Sequence, residues 1–321
     1  MGLSSAFGLW YGNLQFASHK SDINTISHYN LWEYRTKLLE SEVSPKMVLC
    51  GGSNVTFSTR AYMIEKAFGL PVVNAGFNAG TSFKFLTWLI KPYLKSGDIL
   101  LMPLEYNLYR DCRRHIEYND RELTLSYYPE YYQEMDSLLW VRTLLSHSYR
   151  HVFNMRMNLG IPNHDNNFRF LLSHYNSNGD FINNLRKNEN DELNAKIRVE
   201  LLKELTGEVM ITPQSATWRE IKNFSHWCKK KQISLYFTWP SLLENPNYQK
   251  YSQSSYLPSL IERKLISMDI KILGKHENSF YPEEYFFDTI YHMNEVGAAI
   301  RTQQLIHLLE PFLGNFSFPN S

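Results

Sequence analysis

Two short segments near opposite ends of the chain carry residue types that together make a nucleophilic site. Gly51-Gly52-Ser53-Asn54 closes an apolar run near the start, and Asp288-Thr289-Ile290-Tyr291-His292-Met293-Asn294 lies near the finish. A serine hydroxyl is a poor nucleophile until a base takes its proton, and a histidine serves as that base when an acid fixes its tautomer. Ser53, His292 and Asp288 supply those three groups. Each segment also has a plainer reading. Ser53 and Asn54 can simply cap a helix, and Asp288 with His292 can be an ordinary surface pair.

A second Gly-rich turn, Gly76-Phe77-Asn78-Ala79-Gly80, follows the next apolar run. Its Gly76 N–H and its Asn78 side chain are candidate donors to an oxyanion. The alternative is a plain turn with Asn in a left-handed conformation. Asn54 beside the serine, and Glu105 in Pro103-Leu104-Glu105-Tyr106-Asn107, complete the candidate substrate-facing set. Glu105 has three open roles: a structural carboxylate, a partner for Arg113, or a contact to a substrate hydroxyl. His147 and His151 have the spacing of a helical zinc pair, but no glutamate follows His147 and no third ligand is evident, so no metal is expected. Neither a phosphate-binding P-loop nor a dinucleotide G-x-G-x-x-G occurs, and no cofactor is expected.

Only a fold that brings both chain ends to one edge can assemble such a site. The pattern supplies one. Lys46–Cys50, Val72–Ala75 and Ile99–Met102 read as buried strands, separated by helices over Thr59–Phe68 and Ser82–Leu94. The alternation resumes with a helix over Ala216–Lys231, a strand at Ile233–Thr238, a helix at Tyr256–Met268, a strand at Ile270–Leu273 and a closing helix at Glu295–Leu313. This predicts an α/β fold with a parallel sheet of about five strands, right-handed crossovers and helices on both faces. A lead-in over 1–44 precedes it. Between Asn107 and Gln214 the alternation breaks, and that stretch reads as a helical cap inserted into a single domain spanning 1–321. Loops at the carboxyl ends of parallel strands form ligand sites, so a cap there would shape the substrate.

Composition narrows the function classes. The net charge of +1 provides no bulk field for nucleic acid, and no nucleic-acid partner is expected. Three cysteines without a C-x-x-C pair make a disulfide framework improbable. No run approaches the roughly 18–20 apolar residues of a membrane-spanning helix. Residues 1–18 are mildly apolar but lack a basic start, which leaves a trimmed anchor and a first helix both open.

The blocks Gly51-Gly52-Ser53-Asn54, Asn74-Ala75-Gly76-Phe77-Asn78-Ala79-Gly80 and Asp288-Thr289-Ile290-Tyr291-His292-Met293-Asn294 resemble the SGNH (GDSL-like) hydrolase superfamily. They look most like its bacterial members tied to surface polysaccharide and teichoic-acid modification. The resemblance covers residues 45–106 and 216–312, with a fainter likeness in Tyr175-Asn176-Ser177-Asn178-Gly179-Asp180. It implies a flavodoxin-like three-layer α/β/α fold, with Ser53 as nucleophile, His292 as base and Asp288 as its partner. It implies oxyanion donors at the Ser53 and Gly76 N–H groups. The implied activity is that of an esterase or O-acyltransferase, such as an O-acetyltransferase, acting on a carbohydrate at the cell envelope. The alternative is a catalytically weak glycan-binding or assembly component beside a membrane acyltransferase. The chain departs from the superfamily in two places. No Gly-x-Asn-Asp block follows the third strand, and three residues rather than two separate Asp288 from His292.

Overall fold

The computed structural model describes residues 23–78, 80–111, 120, 123–124, 127–135, 137, 141, 172–182, 211–244 and 256–314. Five parallel strands form the sheet: β1 (Met47–Gly51), β2 (Val72–Gly76), β3 (Ile99–Pro103), β4 (Ser234–Thr238) and β6 (Lys271–Leu273), in the order β2-β1-β3-β4-β6. Chain order therefore runs outward from β1 to β2, then reverses to the other side at β3. In such sheets ligands bind in the crevice at the carboxyl ends of the strands where the order reverses, here between β1 and β3.

Side chains alternate across each strand, so one strand feeds two cores. Val48, Cys50, Leu100 and Met102 face one side with α1 (Ile23–Ser41), α4 (Phe83–Ile90), α5 (Thr217–Lys230) and α6 (Tyr256–Ser267). Met47, Leu49, Ile99 and Leu101 face the other with α3 (Ala61–Phe68) and α7 (Glu295–Leu313). Both faces are covered, which is why β1, β2 and β3 are buried at every residue. A two-stranded parallel pair, β5 (Leu242–Leu243) with β7 (Phe280–Tyr281), stands apart from the main sheet. The cysteines Cys50 and Cys228 are free and buried.

Two helices differ from expectation. The segment after β1 is not one helix over Thr59–Phe68. A short α2 (Ser53–Ser58) starts at the serine itself, and extended backbone at Thr59 and Arg60 separates it from α3. The expected helix over Ser82–Leu94 is α-helical only to Ile90, with a 3-10 turn over Lys91–Tyr93. Pro92 lies in that turn; it cannot donate a backbone hydrogen bond. Most of the proposed cap, including His147, His151 and Asn188–Asn194, and most of the lead-in lie outside the described residues. What is described of 107–214 consists chiefly of 3-10 turns and a Tyr175↔Phe181 bridge. Among the described residues no helix is long and apolar enough to cross a membrane, and no group of three or more His, Cys, Asp or Glu could hold a metal.

His276 is buried against Trp239 and Phe280 and hydrogen-bonded through Nε2 to the Tyr106 hydroxyl. Burial lowers its pKa from 6.5 to about 4. A histidine held neutral by the fold must be charged by unfolding, so its contribution to stability is present above the unfolded value and lost as pH falls through the folded one. The expected loss between pH 6.5 and 4 is about 3 kcal/mol, read as a falling urea midpoint. His276→Gln should flatten that slope.

Candidate active site

Ser53 is the first residue of α2, directly beyond the carboxyl end of β1, and is half-buried. The helix cap is Gly52, which makes no side-chain cap bond. Ser53 is thus inside the helix, and the capping alternative does not describe it. Gly51 pairs with Gly76 in register and Phe77 N donates to the Gly51 carbonyl at 2.8 Å, so the turns that carry Ser53 and Asn78 leave from neighbouring strand ends.

His292 is docked on α2. The carbonyl of Tyr291 accepts from Asn54 Nδ2 at 2.9 Å and from Ser58 Oγ at 2.6 Å, and Met293 N donates to Ser58 Oγ at 3.0 Å. The backbone on either side of His292 is therefore fixed to the helix that carries Ser53. The imidazole lies over the Phe57 ring, with centroids 4.3 Å apart. Ser53 and Phe57 are four apart on α2, and residues so spaced share a helix face. His292 sits one turn from Ser53 on that face. Among the described residues Ser53 Oγ makes no hydrogen bond, to His292 or to any other group.

The Asp288–His292 spacing resolves locally. Phe286 and Met293 form an antiparallel bridge, Phe287 N donates to the His292 carbonyl at 2.8 Å, and residues 288–291 bulge between them, with Asp288, Ile290 and Tyr291 buried. Thr289 Oγ1 accepts from Tyr291 N and His292 N, both at 3.2 Å, which closes the bulge. Asp288 Oδ1 consequently reaches His292 Nδ1 at 2.7 Å, with the side chains only 10% and 14% exposed. Asp288 holding Nδ1 leaves Nε2 as the nitrogen available for proton transfer.

Three expected substrate-facing groups are used otherwise. Gly76 N–H donates to Asn74 Oδ1 at 3.1 Å, so it is not a free oxyanion donor. Gly76 is glycine because α2 packs onto it: a Cβ there would stand 2.5 Å from Thr56 N. The Asn54 amide is spent on Ser241 Oγ at 2.6 Å and on the Tyr291 carbonyl, and is buried. Glu105 is fully buried and accepts from Gly52 N at 3.0 Å and Asn54 N at 2.6 Å, while Arg113 lies outside the described residues. Asn78 Oδ1 accepts from Gly80 N at 2.7 Å in a local turn.

Sequence reasoning assigned no role to Asp180. Its buried carboxylate accepts from Ala61 N at 2.7 Å, Tyr62 N at 3.2 Å and Asn74 Nδ2 at 3.0 Å. It therefore caps α3, whose own cap residue Arg60 supplies no side-chain acceptor. Beside it Phe181 packs edge-on to Phe57 at 4.9 Å, backing the ring on which His292 rests. The Asn-Gly-Asp turn marks this loop in the sequence, but nothing local reveals a partner so far away along the chain.

Comparison with protein-family models, with curated proteins and with solved structures found no match to this chain.

Proposed function

We propose that this protein is a serine-dependent esterase or O-acyltransferase of SGNH type, acting on O-acyl, chiefly O-acetyl, groups of a bacterial cell-surface carbohydrate at the cell envelope. The observation that carries the reading is the Asp288–His292 pair fixed to the very helix that Ser53 begins, at the crevice between β1 and β3. The choice of acyl group, carbohydrate and compartment is supported by the resemblance of the three sequence blocks.

In this reading His292 Nε2 takes the Ser53 Oγ proton as Oγ attacks the acyl carbonyl. The Ser53 N–H, which carries no partner among the described residues, meets the oxyanion, and the Asn78 side chain is the candidate second donor. The tetrahedral intermediate collapses as the leaving alcohol takes the proton from His292, giving an acyl-Ser53 ester. Water or a sugar hydroxyl then attacks that ester, again deprotonated by His292. Water gives hydrolysis and sugar gives transfer.

A second reading keeps the fold and site but not the turnover: a glycan-binding or assembly component partnering a membrane acyltransferase. It is favoured by the absent Ser53–His292 hydrogen bond and by the occupied Gly76 N–H. Against it, catalytic hydrogen bonds often tighten only with substrate bound. Treatment with a serine-directed phosphonate separates the two. The enzyme reading expects one adduct, mapped to the Ser53 peptide, and turnover of an activated acetyl ester that partitions toward transfer when sugar acceptor is added. An unlabelled, inert protein that still binds polysaccharide supports the second reading.

A further inference from the structure

Glu105 is a buried carboxylate that forms no ion pair among the described residues. Its oxygens are spent on the N–H groups of Gly52 and Asn54, the two residues that flank Ser53. The fit is close: a Cβ at Gly52 would stand 2.6 Å from both carboxylate oxygens, so only glycine lets the turn sit on them. The strand that delivers Glu105, β3, borders β1 at the point where strand order reverses. One side chain thus anchors the turn after β1 to the end of its neighbour.

We propose that Glu105 is the positioning residue of the Ser53 turn, its ionised carboxylate drawing the two flanking N–H groups inward so that the Ser53 N–H and Oγ are left to face the crevice. The inference rests on Ser53 being the nucleophile. It differs from a contact between Glu105 and substrate, because both oxygens already have backbone donors. Charge-assisted bonds of this kind are roughly twice as strong as neutral ones, and an unpaired N–H in their place is costly. The charged groups facing Glu105 are few. His292 attracts it, and the buried Tyr109 phenol is pushed up, first by burial and then by the Glu105 charge. An imidazolium formed at His292 during proton transfer would be stabilised by the same carboxylate.

The acid response has a definite sign. Burial raises the Glu105 pKa, opposed by the Asn54 and Gly52 N–H bonds and by His292. With the folded pKa above the unfolded one, the folded state holds the proton more readily. The Glu105 contribution to stability therefore falls as pH rises through that window. Turn order moves the opposite way, since protonation removes an acceptor. Acid should release the turn while Glu105 itself takes nothing from the stability of the fold.

The test combines amide exchange, resolved at Gly52 and Asn54, with the rate of phosphonate labelling per folded molecule, in wild type and Glu105→Gln across pH. The expected result is protected Gly52 and Asn54 amides in wild type at neutral pH. In the variant that protection is lost, labelling is slower by about 100-fold, and the acid limb of labelling assigned to Glu105 is gone. Unchanged protection and labelling in Glu105→Gln would overturn the proposal. If the variant does not fold, the wild-type pH series decides. Protection at Gly52 and Asn54 lost in acid while Val48 and Leu49 stay protected sustains it, and protection of both amides down to about pH 3 refutes it. A wild type that is never labelled sinks the nucleophile reading, but leaves the exchange result to judge the turn.

Discussion

Ser53→Ala is expected to lower turnover of an activated acetyl ester by about 10⁴–10⁶-fold and to abolish phosphonate labelling, with stability within about 0.5 kcal/mol of wild type. Among the described residues Ser53 makes no side-chain hydrogen bond, and the N-cap position of its helix is Gly52, so the substitution removes chemistry and little else. Asp288→Asn provides the internal control. The amide would keep a contact with Nδ1 but favour the wrong tautomer, and a loss of about 10⁴-fold in kcat is expected. Residues that act as one unit are not additive, so the double variant should be no worse than Ser53→Ala alone. A Ser53→Ala protein retaining wild-type turnover would refute the nucleophile assignment. An additive double variant would mean that Asp288 acts outside the triad.

The largest expected change in stability lies at the opposite edge of the sheet. Lys46 Nζ and Asp98 Oδ2 are 3.2 Å apart and both side chains are 0% exposed. Asp98 also accepts from Lys46 N at 3.1 Å and from Lys95 N at 2.8 Å, while its own carbonyl receives Ser234 N at 2.9 Å. It thereby ties the starts of β1, β3 and β4 together. Asp98→Ala strands a buried ammonium and two N–H groups, and about 3–5 kcal/mol of stability should be lost in urea titration. Lys46→Met should cost less, because Asp98 keeps its two backbone donors. Equal losses in the two variants would show that the ion pair, not the backbone anchoring, dominates.

What the sequence disclosed follows from what is local. Short, largely apolar runs between helical stretches located all five strands of the main sheet; β1, β2 and β3 read most plainly because they are buried at every residue, whereas β4 and β6 are partly exposed. Ser53, Asp288 and His292 were singled out from residue type and turn context, and of these the structure joins Asp288 to His292. The misses at the site are non-local. Nothing near Glu105 says that its oxygens meet Gly52 and Asn54, and nothing near Gly76 says that Asn74 folds back onto its N–H. Asn54 looked substrate-facing because its partners, Ser241 and Tyr291, lie far along the chain. The break between α2 and α3 was invisible for the same reason, since the acceptor that permits a second helix start is Asp180.

The loop that carries Asp180 also bears on the order of synthesis. β2 is an edge strand, and Asn74 N on it donates to the Asn178 carbonyl at 2.7 Å, while the Asn178 side chain bonds the Val72 carbonyl at 3.0 Å. An uncovered edge is a template for pairing with another chain. On a ribosome β2, β1 and β3 are complete once Pro103 has emerged, yet the residues that cover their outer edge follow about 75 positions later, a wait of roughly 4–15 s at usual elongation rates. During that interval the nascent sheet has a sticky flank. The same loop that seats α3 and backs Phe57 in the finished protein is, for the growing chain, the cover that ends its exposure to neighbouring chains.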